Sequence, residues 1–274
     1  MIIDYISDLH IDFWLGRKLT EEEFIGSYIY EDIFKKANGE ILIIAGDLGH
    51  YNEQNVIFLN LLLEFCKYKH IFFVLGNHDY YLFNEEWSRF KGNSFNRVEA
   101  LKDLLRDYQK LTLLDGEVYN YNGIHIGGCS MWYDGQYREI MEIKLTNEQI
   151  LELWQAKVTD SMQIGGISHY LEMFKKEIIK LDKIYKKSDI IITHVNPSIL
   201  PEHTAKEYSN INSPLNCYYS FDGINYTNNT SAKYWIFGHI HHTKKYKIGN
   251  LNLMCNPLGY PSQNEYPKLK SFNY

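Results

Sequence analysis

Five short apolar runs along the chain are each followed within two residues by aspartate, asparagine or histidine. The runs are rich in β-branched and aromatic residues and end in polar or glycine-containing turns, which is typical of β-strands. None approaches the ~18 consecutive apolar residues that a membrane-spanning helix needs. The predicted strands are Ile2–Ser7, Glu40–Ala45, His70–Leu75, Ser188–Thr193 and Tyr234–Phe237.

The first part of the chain alternates these strands with helices. Between the second and third strands, residues 52–69 carry Val56, Leu59 and Leu62 at helical spacing, and residues 97–109 repeat the pattern. Strands that alternate with helices favour a parallel sheet, here over about the first 110 residues.

The later part of the chain is predicted to contain hairpins and a long loop. Asn122-Gly123 and Gly249-Asn250 each lie between alternating apolar and polar segments, which is a strong hairpin signal. Residues 198–231 are rich in asparagine and serine and are predicted to form a loop region.

Two further helices, Thr146–Asp160 and Ile167–Lys187, are predicted between the hairpins, the first with capping-box spacing. They belong to residues 139–187, which form either a helical cap beside a site or part of the framework. No internal repeat and no linker rich in Ser, Gly or Pro divides the sequence. We therefore predict a single elaborated α/β domain over residues 1–274.

Composition excludes several classes of function. The formal net charge is -6 and only five of the 28 basic residues are arginine, which disfavours nonspecific electrostatic binding to nucleic acid. The four cysteines lie far apart without a C-x-x-C pair, so a disulfide framework or a thiolate zinc site is not expected and the thiols are predicted to be buried. The first strand begins at Ile2 and leaves no room for a signal peptide, which predicts a cytoplasmic protein without a membrane partner.

Side chains that bind divalent metals follow every predicted strand. Because ligands of open α/β sheets bind at the carboxyl ends of the strands, these side chains are expected to lie together. The one-residue spacing in Asp8-Leu9-His10 and His239-Ile240-His241 places alternate side chains on one face. Oxygen and imidazole ligands suit hard-to-borderline ions, which indicates a dinuclear metal site. The remaining segments are Gly46-Asp47, Gly76-Asn77-His78-Asp79 and Thr193-His194.

Each of these residues also has an ordinary structural explanation. Asp8 can cap a turn, His10 or His194 can be a hydrogen-bonded core histidine, and Gly-Asp is a common turn dipeptide. Asp79 can be the N-cap of a following helix. All five segments in this order, each at a strand end, are improbable by chance, which favours the metal site.

With these motifs the sequence resembles the calcineurin-like metallophosphoesterase superfamily, over residues 8–241. The resemblance implies an α/β fold in the form of a four-layer α/β/β/α sandwich with two bound metal ions. It also implies phosphate ester hydrolysis by attack of a metal-bridging hydroxide. The roles it implies are one metal bound by Asp8, His10 and His241, the other by Asn77, His194 and His239, Asp47 as the bridge, His78 as the catalytic histidine and Asp79 as its orienting partner.

The chemistry of the residues agrees with these roles. Two ions about 3.5–4 Å apart activate water and clamp the reacting oxygens of a phosphate ester. The two carboxylate oxygens of Asp47 suit a bridge, and the neutral amide of Asn77 adds a ligand without adding charge. His78 is placed to donate a proton to the leaving oxygen. Mn²⁺, Fe and Zn²⁺ all suit such ligands, so the sequence leaves the metal open.

The sequence departs from the protein phosphatases of this superfamily, which carry an arginine that clamps phosphate in G-D-x-V-D-R-G. Residues 46–52 are Gly-Asp-Leu-Gly-His-Tyr-Asn instead. We therefore predict a small phosphodiester substrate, such as a cyclic nucleotide. The alternatives are a phosphomonoesterase or protein phosphatase and a nuclease like the DNA-repair enzymes of this superfamily. A non-catalytic scaffold of the same fold is less expected because every ligand position is filled.

Three further residues lie near the motifs or on loops expected to face the same edge. His50, Trp132 and Asn196 are candidates for substrate contact. Surface exposure or packing is nevertheless the favoured explanation for each of them.

Overall fold

The computed structural model describes residues 1–205, 210–263 and 267–274. Within these residues the strands are β1 (Ile2–Ile6), β2 (Ile41–Ala45), β3 (His70–Val74), β4 (Leu111–Leu113), β5 (Glu117–Tyr121), β6 (Ile124–Gly128), β7 (Ile190–Ile192), β8 (Tyr234–Phe237), β9 (Lys244–Ile248), β10 (Leu251–Cys255) and β11 (Lys270–Asn273). The α-helices are α1 (Glu21–Ile25), α2 (Asn52–Phe65), α3 (Glu85–Arg89), α4 (Ser94–Leu105), α5 (Asn147–Lys157), α6 (Asp160–Gln163), α7 (Tyr170–Ile184) and α8 (Ile224–Asn229).

The first sheet has the order β11-β1-β2-β3-β4 among the described residues. Strands β1 to β3 are parallel, as predicted, β4 adds a further parallel strand, and β11 pairs antiparallel with β1. Every residue of β2 and β3 is buried, because both faces of a parallel sheet are covered. The register pairs Ile6 with Ile44 and Ala45 with Val74. The residues after β1, β2 and β3 therefore emerge at the same level of one edge.

The second sheet has the order β5-β6-β7-β8-β10-β9 over the same described ranges. Both predicted hairpins are present, β5 with β6 and β9 with β10. Strands β6, β7 and β8 are parallel, and β10 inserts parallel to β8. The register pairs Ile192 with Ile236, so the polar residues that follow β7 and β8 also emerge together.

The two sheets pack face to face through one apolar layer. It contains Ile43, Phe72 and Val74 from the first sheet and Ile126 and Ile236 from the second, all fully buried. A second apolar cluster lies on the outer faces, where α2 and α4 cover the first sheet and α7 covers β5 and β6. The predicted α/β/β/α sandwich is confirmed.

The structure differs from the sequence predictions mainly outside the motif-bearing strands. Strands β4 and β11 were not predicted, because β4 has three residues and β11 is only half buried. The segment 198–231, predicted as a loop, contains the short polar helix α8, and its residues 206–209 lie outside the described ranges. Three cysteines are buried as predicted, but Cys66 is partly exposed at the end of α2.

Residues 139–187, predicted as a cap or as framework, contain α5, α6 and α7. Helix α7 packs on the second sheet, whereas residues 157–160, between α5 and α6, line a cavity at the edge where the motif residues emerge. The division of the chain into a domain and a cap stays a prediction.

Candidate metal centre

The backbone turns sharply where each motif leaves its strand. Asp8, His10, Asp47, His239 and His241 all have positive φ values, between 43° and 67°. Residues with side chains rarely adopt this left-handed conformation, and its cost of about 1–3 kcal/mol each is typical of functional sites. The turns direct these five side chains into one space between the carboxyl ends of the strands.

A first cluster of ligand atoms forms around His241. Asp8, His10, Asp47 and His241 each offer one atom within 4.8 Å of all the others. The Nε2 atoms of His10 and His241 are 3.1 Å apart, and His241 Nε2 is 3.5 Å from Asp8 Oδ1. These residues, including the shared Asp47, are the set predicted for one metal.

A second cluster forms around Asn77. Its Oδ1 lies 3.1 Å from His194 Nε2 and 3.1 Å from His239 Nδ1, and the two imidazole nitrogens are 3.2 Å apart. His194 Nε2 is also 3.4 Å from Asp47 Oδ2. The structure thus brings together the residues predicted for the other metal, again with Asp47.

Asp47 lies between the two clusters. Its Oδ1 accepts a hydrogen bond of 2.9 Å from the backbone N–H of His78. Its Oδ2 is buried, has no hydrogen-bond partner among the described residues, and lies 3.6 Å from His10 Nε2 and 3.4 Å from His194 Nε2. An unpaired buried carboxylate oxygen is costly, and its position between two imidazoles would suit a ligand shared by two ions.

Two motif glycines permit this close approach. A Cβ atom on Gly76 would lie 2.1 Å from Asp47 Oδ1, and one on Gly46 would lie 2.4 Å from His194 Nδ1. Gly46 also has a φ of 84°, which glycine adopts without steric cost. Any larger residue at either position displaces a ligand side chain.

Backbone and side-chain acceptors orient three of the rings. His194 donates through Nδ1 to the carbonyl of Ala45 at 2.9 Å, and His239 donates through Nε2 to the carbonyl of Tyr218 at 2.8 Å. His241 Nδ1 lies 2.7 Å from Gln263 Oε1. Such contacts fix the tautomer of metal-binding histidines, and they leave the other nitrogen of each ring facing its cluster.

In the protein without metal, burial and the neighbouring charges shift the pKa values of the clustered side chains. Burial opposes protonation of His194, but Asp47 outweighs it and raises the pKa of this ring to about 9. Burial lowers the pKa of His239 to about 3. Burial also opposes ionisation of Asp47, yet His194 and His78 hold its pKa well below the usual range. A proton on His194 therefore occupies the lone pair that a metal ion would need, and metal binding would release this proton.

The spacing of the ligand atoms fits divalent ions. Nitrogen and oxygen ligands about 2.1 Å from an ion are separated from each other by about 3.0–3.4 Å in octahedral or tetrahedral geometry. Neighbouring atoms in the two clusters are 3.1–3.6 Å apart. These side chains therefore fit two metal ions that share Asp47.

His78 lies at the edge of this centre, in a 3-10 turn after β3. Its Nδ1 is 2.8 Å from His50 Nε2, and His50 Nδ1 is 2.6 Å from the carboxylate of Asp12. Because Asp12 only accepts, His50 donates to it and accepts from His78 Nδ1. His78 Nε2 remains available and is 3.3 Å from the hydroxyl of Tyr260. Burial lowers the pKa of His78 to about 4.

Asp79 is placed differently from its predicted role beside His78. Its buried carboxylate accepts hydrogen bonds from the backbone N–H groups of Gly76, Asp47 and Leu48. It thereby joins the turn after β3 to the turn after β2. Among the described residues it makes no hydrogen bond to the His78 ring, which His50 contacts instead. The catalytic role of Asp79 stays a prediction, and the contacts favour His50 and Asp12 as orienting residues.

The structure does not bring the three candidate substrate contacts to the cavity. His50 is buried with both ring nitrogens engaged. Trp132 is fully buried against Tyr80. Asn196 is fully buried and bonds to Ser198, His203 and Tyr246. None of the three lines the cavity in the described part of the chain. Trp132 and Asn196 serve packing or loop structure, whereas His50 contacts the His78 ring.

The cavity beside the metal centre has a volume of ≈ 260 Å³. Most of the residues that shape it were not predicted, because they follow no strand of the predicted set. Asp12, which contacts His50 and does not line the cavity, was also missed, although it extends the alternation of Asp8 and His10 by one more step. The lining residues that were missed are Tyr81, Lys157, Val158, Thr159, Asp160, Leu215, Tyr218, Tyr219, Tyr260 and Gln263.

An α/β/β/α sandwich with two histidine and carboxylate clusters at the carboxyl ends of its strands defines the dinuclear metal-dependent phosphoesterases. The family model for the calcineurin-like phosphoesterases matches residues 1–243, and the chain belongs to this family. It is a metal-dependent phosphoric ester hydrolase. Within the described residues, no helix has the length and apolar character needed to cross a membrane.

Two similar proteins cover nearly the whole chain. An uncharacterised protein of Acanthamoeba polyphaga mimivirus is 25% identical over 277 residues, which cover 94% of this chain and 91% of that protein. The crystal structure of phosphopantetheinyl hydrolase from Mycobacterium tuberculosis superposes with a TM-score of 0.72 at 16% identity, over 98% of this chain and 95% of that chain. This likeness extends the shared fold beyond β8 to the end of the chain.

Proposed function

We propose that the protein hydrolyses a small phosphodiester with two divalent metal ions. Asp8, His10 and His241 hold one ion, Asn77, His194 and His239 hold the other, and Asp47 bridges them. The observation that carries the proposal is that both ligand clusters share Asp47 and open on one cavity of ≈ 260 Å³. A cavity of this size suits a small ligand.

The ions supply Lewis-acid activation of water and of the phosphoryl oxygens when they are bound. Asp47 and Asp8 partly neutralise them, and because two carboxylates do not balance two divalent ions, the loaded site attracts an anion. The Asn77 amide adds no charge. The side chains of the centre thus bind and orient the phosphoryl group at the inner end of the cavity.

His78 is the proposed proton donor to the leaving oxygen. Its Nε2 lies toward Tyr260, which lines the cavity with His78 itself. His50 accepts from Nδ1 and is held by Asp12, so His78 would donate from Nε2 in its imidazolium form, whose charge the Asp12 carboxylate stabilises. The ring would become neutral, with its proton on Nδ1, when the Nε2 proton passes to the leaving oxygen.

The charge of the cavity supports a diester substrate over a monoester. A terminal phosphate carries an additional negative charge, which arginine recognises best through two parallel hydrogen bonds. Among the described lining residues no side chain is arginine, and Lys157 is the one lysine. The buried Arg97 lies near the motif loops, but its guanidinium is used by the carbonyls of Gly49, His78 and Tyr81.

A substrate panel tests this proposal. With Mn²⁺ at saturation, kcat/KM is expected to be higher for an aryl phosphodiester or a cyclic nucleotide than for an aryl phosphomonoester. A preference above tenfold for the monoester contradicts a diesterase. Single-stranded DNA is measured at two salt concentrations, since efficient cleavage that falls steeply with salt indicates a nuclease. A phosphopantetheinyl ester completes the panel because the structural neighbour is named for that group.

Lys157 gives a second prediction about substrate binding. Its side chain is exposed, and its ammonium has no ion-pair partner among the described residues. We expect Lys157→Gln to raise KM about two- to fivefold with little change in kcat, because one exposed charge contact is worth ~0.2–1 kcal/mol. Lys187→Gln, an exposed lysine outside the cavity, is the matched control. Equal effects of the two substitutions exclude a substrate contact by Lys157.

A further inference from the structure

Asp160 connects the segment between α5 and α6 to the metal centre. It is the first residue of α6 and is 2% exposed. Its Oδ1 accepts a hydrogen bond of 2.8 Å from Asn77 Nδ2, and it also accepts from the hydroxyl of Tyr81. Its Oδ2 accepts a bond of 2.6 Å from the hydroxyl of Tyr133.

These contacts determine which end of the Asn77 amide faces the metal site. An amide has a donating NH₂ and an accepting oxygen, and either end can turn toward a neighbour. Both carboxylate oxygens of Asp160 are acceptors in these contacts, so Asp160 holds the NH₂ of Asn77 on its own side. The second N–H of Asn77 is donated to the Tyr81 hydroxyl at 3.0 Å. Oδ1 is thereby left facing His194 and His239, where a ligand oxygen is needed.

We propose that Asp160 is a positioning residue of the metal centre, which fixes the Asn77 amide with its oxygen toward the second ion. This inference rests on the proposed function, in which Asn77 is a ligand. Asp160 is not one of the proposed ligands, and it influences the second ion only by orienting Asn77.

Asp160 is itself held rigidly, as such a role requires. Tyr133 donates to it and in turn accepts a bond of 2.7 Å from Trp154 Nε1 on α5. The residues just before Asp160, including Lys157, line the cavity. Through its contact with Asn77, the Asp160 carboxylate therefore also connects this part of the cavity lining to the metal centre.

Metal binding by the variant Asp160→Asn tests the assignment. The substitution is isosteric, but the new amide can donate, so the Asn77 amide is free to turn its NH₂ toward His194 and His239. We expect the affinity for the second ion to fall about 10- to 100-fold, as for other residues that orient ligands, while the first ion stays bound. Mn²⁺ titration of the apoprotein, followed by electron paramagnetic resonance, reports this as loss of the coupled two-ion signal and retention of a one-ion signal.

Exchanging the Asn77 and Asp160 side chains tests whether Asp160 acts by positioning Asn77 or only by stabilising the fold. In the double variant Asn77→Asp/Asp160→Asn, the amide donates to the carboxylate from the other side, and a carboxylate oxygen faces the ions. We expect the double variant to recover the two-ion signal that each single substitution loses. Asp134→Asn is the matched control, because Asp134 is a buried carboxylate whose hydrogen bonds within the described residues come from the backbone N–H groups of Gln136 and Asp222. It is expected to bind both ions.

The outcomes distinguish this inference from the proposed function. If the wild-type protein binds two ions and Asp160→Asn binds them equally well, the inference is wrong and the proposed centre stands. If the wild-type protein binds no pair of ions, the proposed centre itself fails. If Asp160→Asn does not fold, the double variant decides: a folded double variant with two ions supports the inference, and one with a single ion, or one that is unfolded as well, overturns it.

Discussion

Asp47→Asn is expected to reduce metal content and activity together, with kcat falling at least on the order of a thousandfold. The physical reason is that Asp47 Oδ2 is the one carboxylate oxygen shared by the His10 and His194 sides of the centre. A neutral amide holds two divalent ions more weakly. Loss of several kcal/mol of metal-ion stabilisation in the transition state corresponds to this change in rate.

The measurement is metal analysis of the purified variant together with kcat on the best substrate of the panel. Asp134→Asn again serves as the control for loss of a buried carboxylate outside the cluster. Wild-type metal content and wild-type activity in Asp47→Asn are incompatible with a dinuclear centre bridged by this residue. Loss of activity with both ions retained assigns Asp47 a role other than bridging.

The parts of the centre that lie directly after strands were predictable from the sequence. The strands are specified by short apolar runs, and parallel pairing in register brings their carboxyl ends to one edge. Asp8, Asp47 and His194 are therefore placed by local sequence plus sheet topology. The two-sheet sandwich was predicted only with the help of a family resemblance, since β4 is too short to be recognised and β11 carries no continuous apolar run.

The residues that surround the ligands were not predictable in this way. Asp160 and Lys157 come from a segment far from any motif, and their position depends on tertiary contacts of α5 and α6, such as those of Asp160 with Asn77 and Tyr133. Gln263 orients His241 from the region after β10. Such contacts arise from tertiary packing between segments of irregular backbone, for which hydrophobic periodicity carries no signal.

Around His78, the motif residues lie where the sequence predicts them, but Asp79 does not contact the ring that it was predicted to orient. Asp79 follows His78 directly, which suggested an orienting pair, yet its carboxylate turns back to three backbone N–H groups. The ring contact comes from His50, which lies after β2 and was a candidate for substrate contact. Adjacent residues in a 3-10 turn point in different directions, so adjacency in sequence does not establish contact.

His78→Ala is expected to retain both metal ions and to lower kcat by about 10²–10⁴-fold, the usual contribution of a general acid. The His78 side chain lies beside the proposed ligands but is not one of them, because its ring nitrogens contact His50 and Tyr260. Metal analysis and kcat are measured on the same preparation. His125→Ala, an exposed histidine outside the centre, is the control and is expected to leave both unchanged. Loss of metal from His78→Ala identifies His78 as a ligand, and an unchanged kcat removes it from the proton-transfer step.

The contacts from Asp12 through His50 to His78 predict that His50 also affects kcat, and that it does so through His78. His50→Phe preserves an aromatic ring but removes both nitrogens, so it is expected to lower kcat by about tenfold, less than His78→Ala, with metals retained. If His50 acts only through His78, the double variant His50→Phe/His78→Ala is no slower than His78→Ala alone, because residues that act as one unit are not additive. Additive losses in the double variant show that His50 contributes independently and contradict its role as a positioning residue for His78.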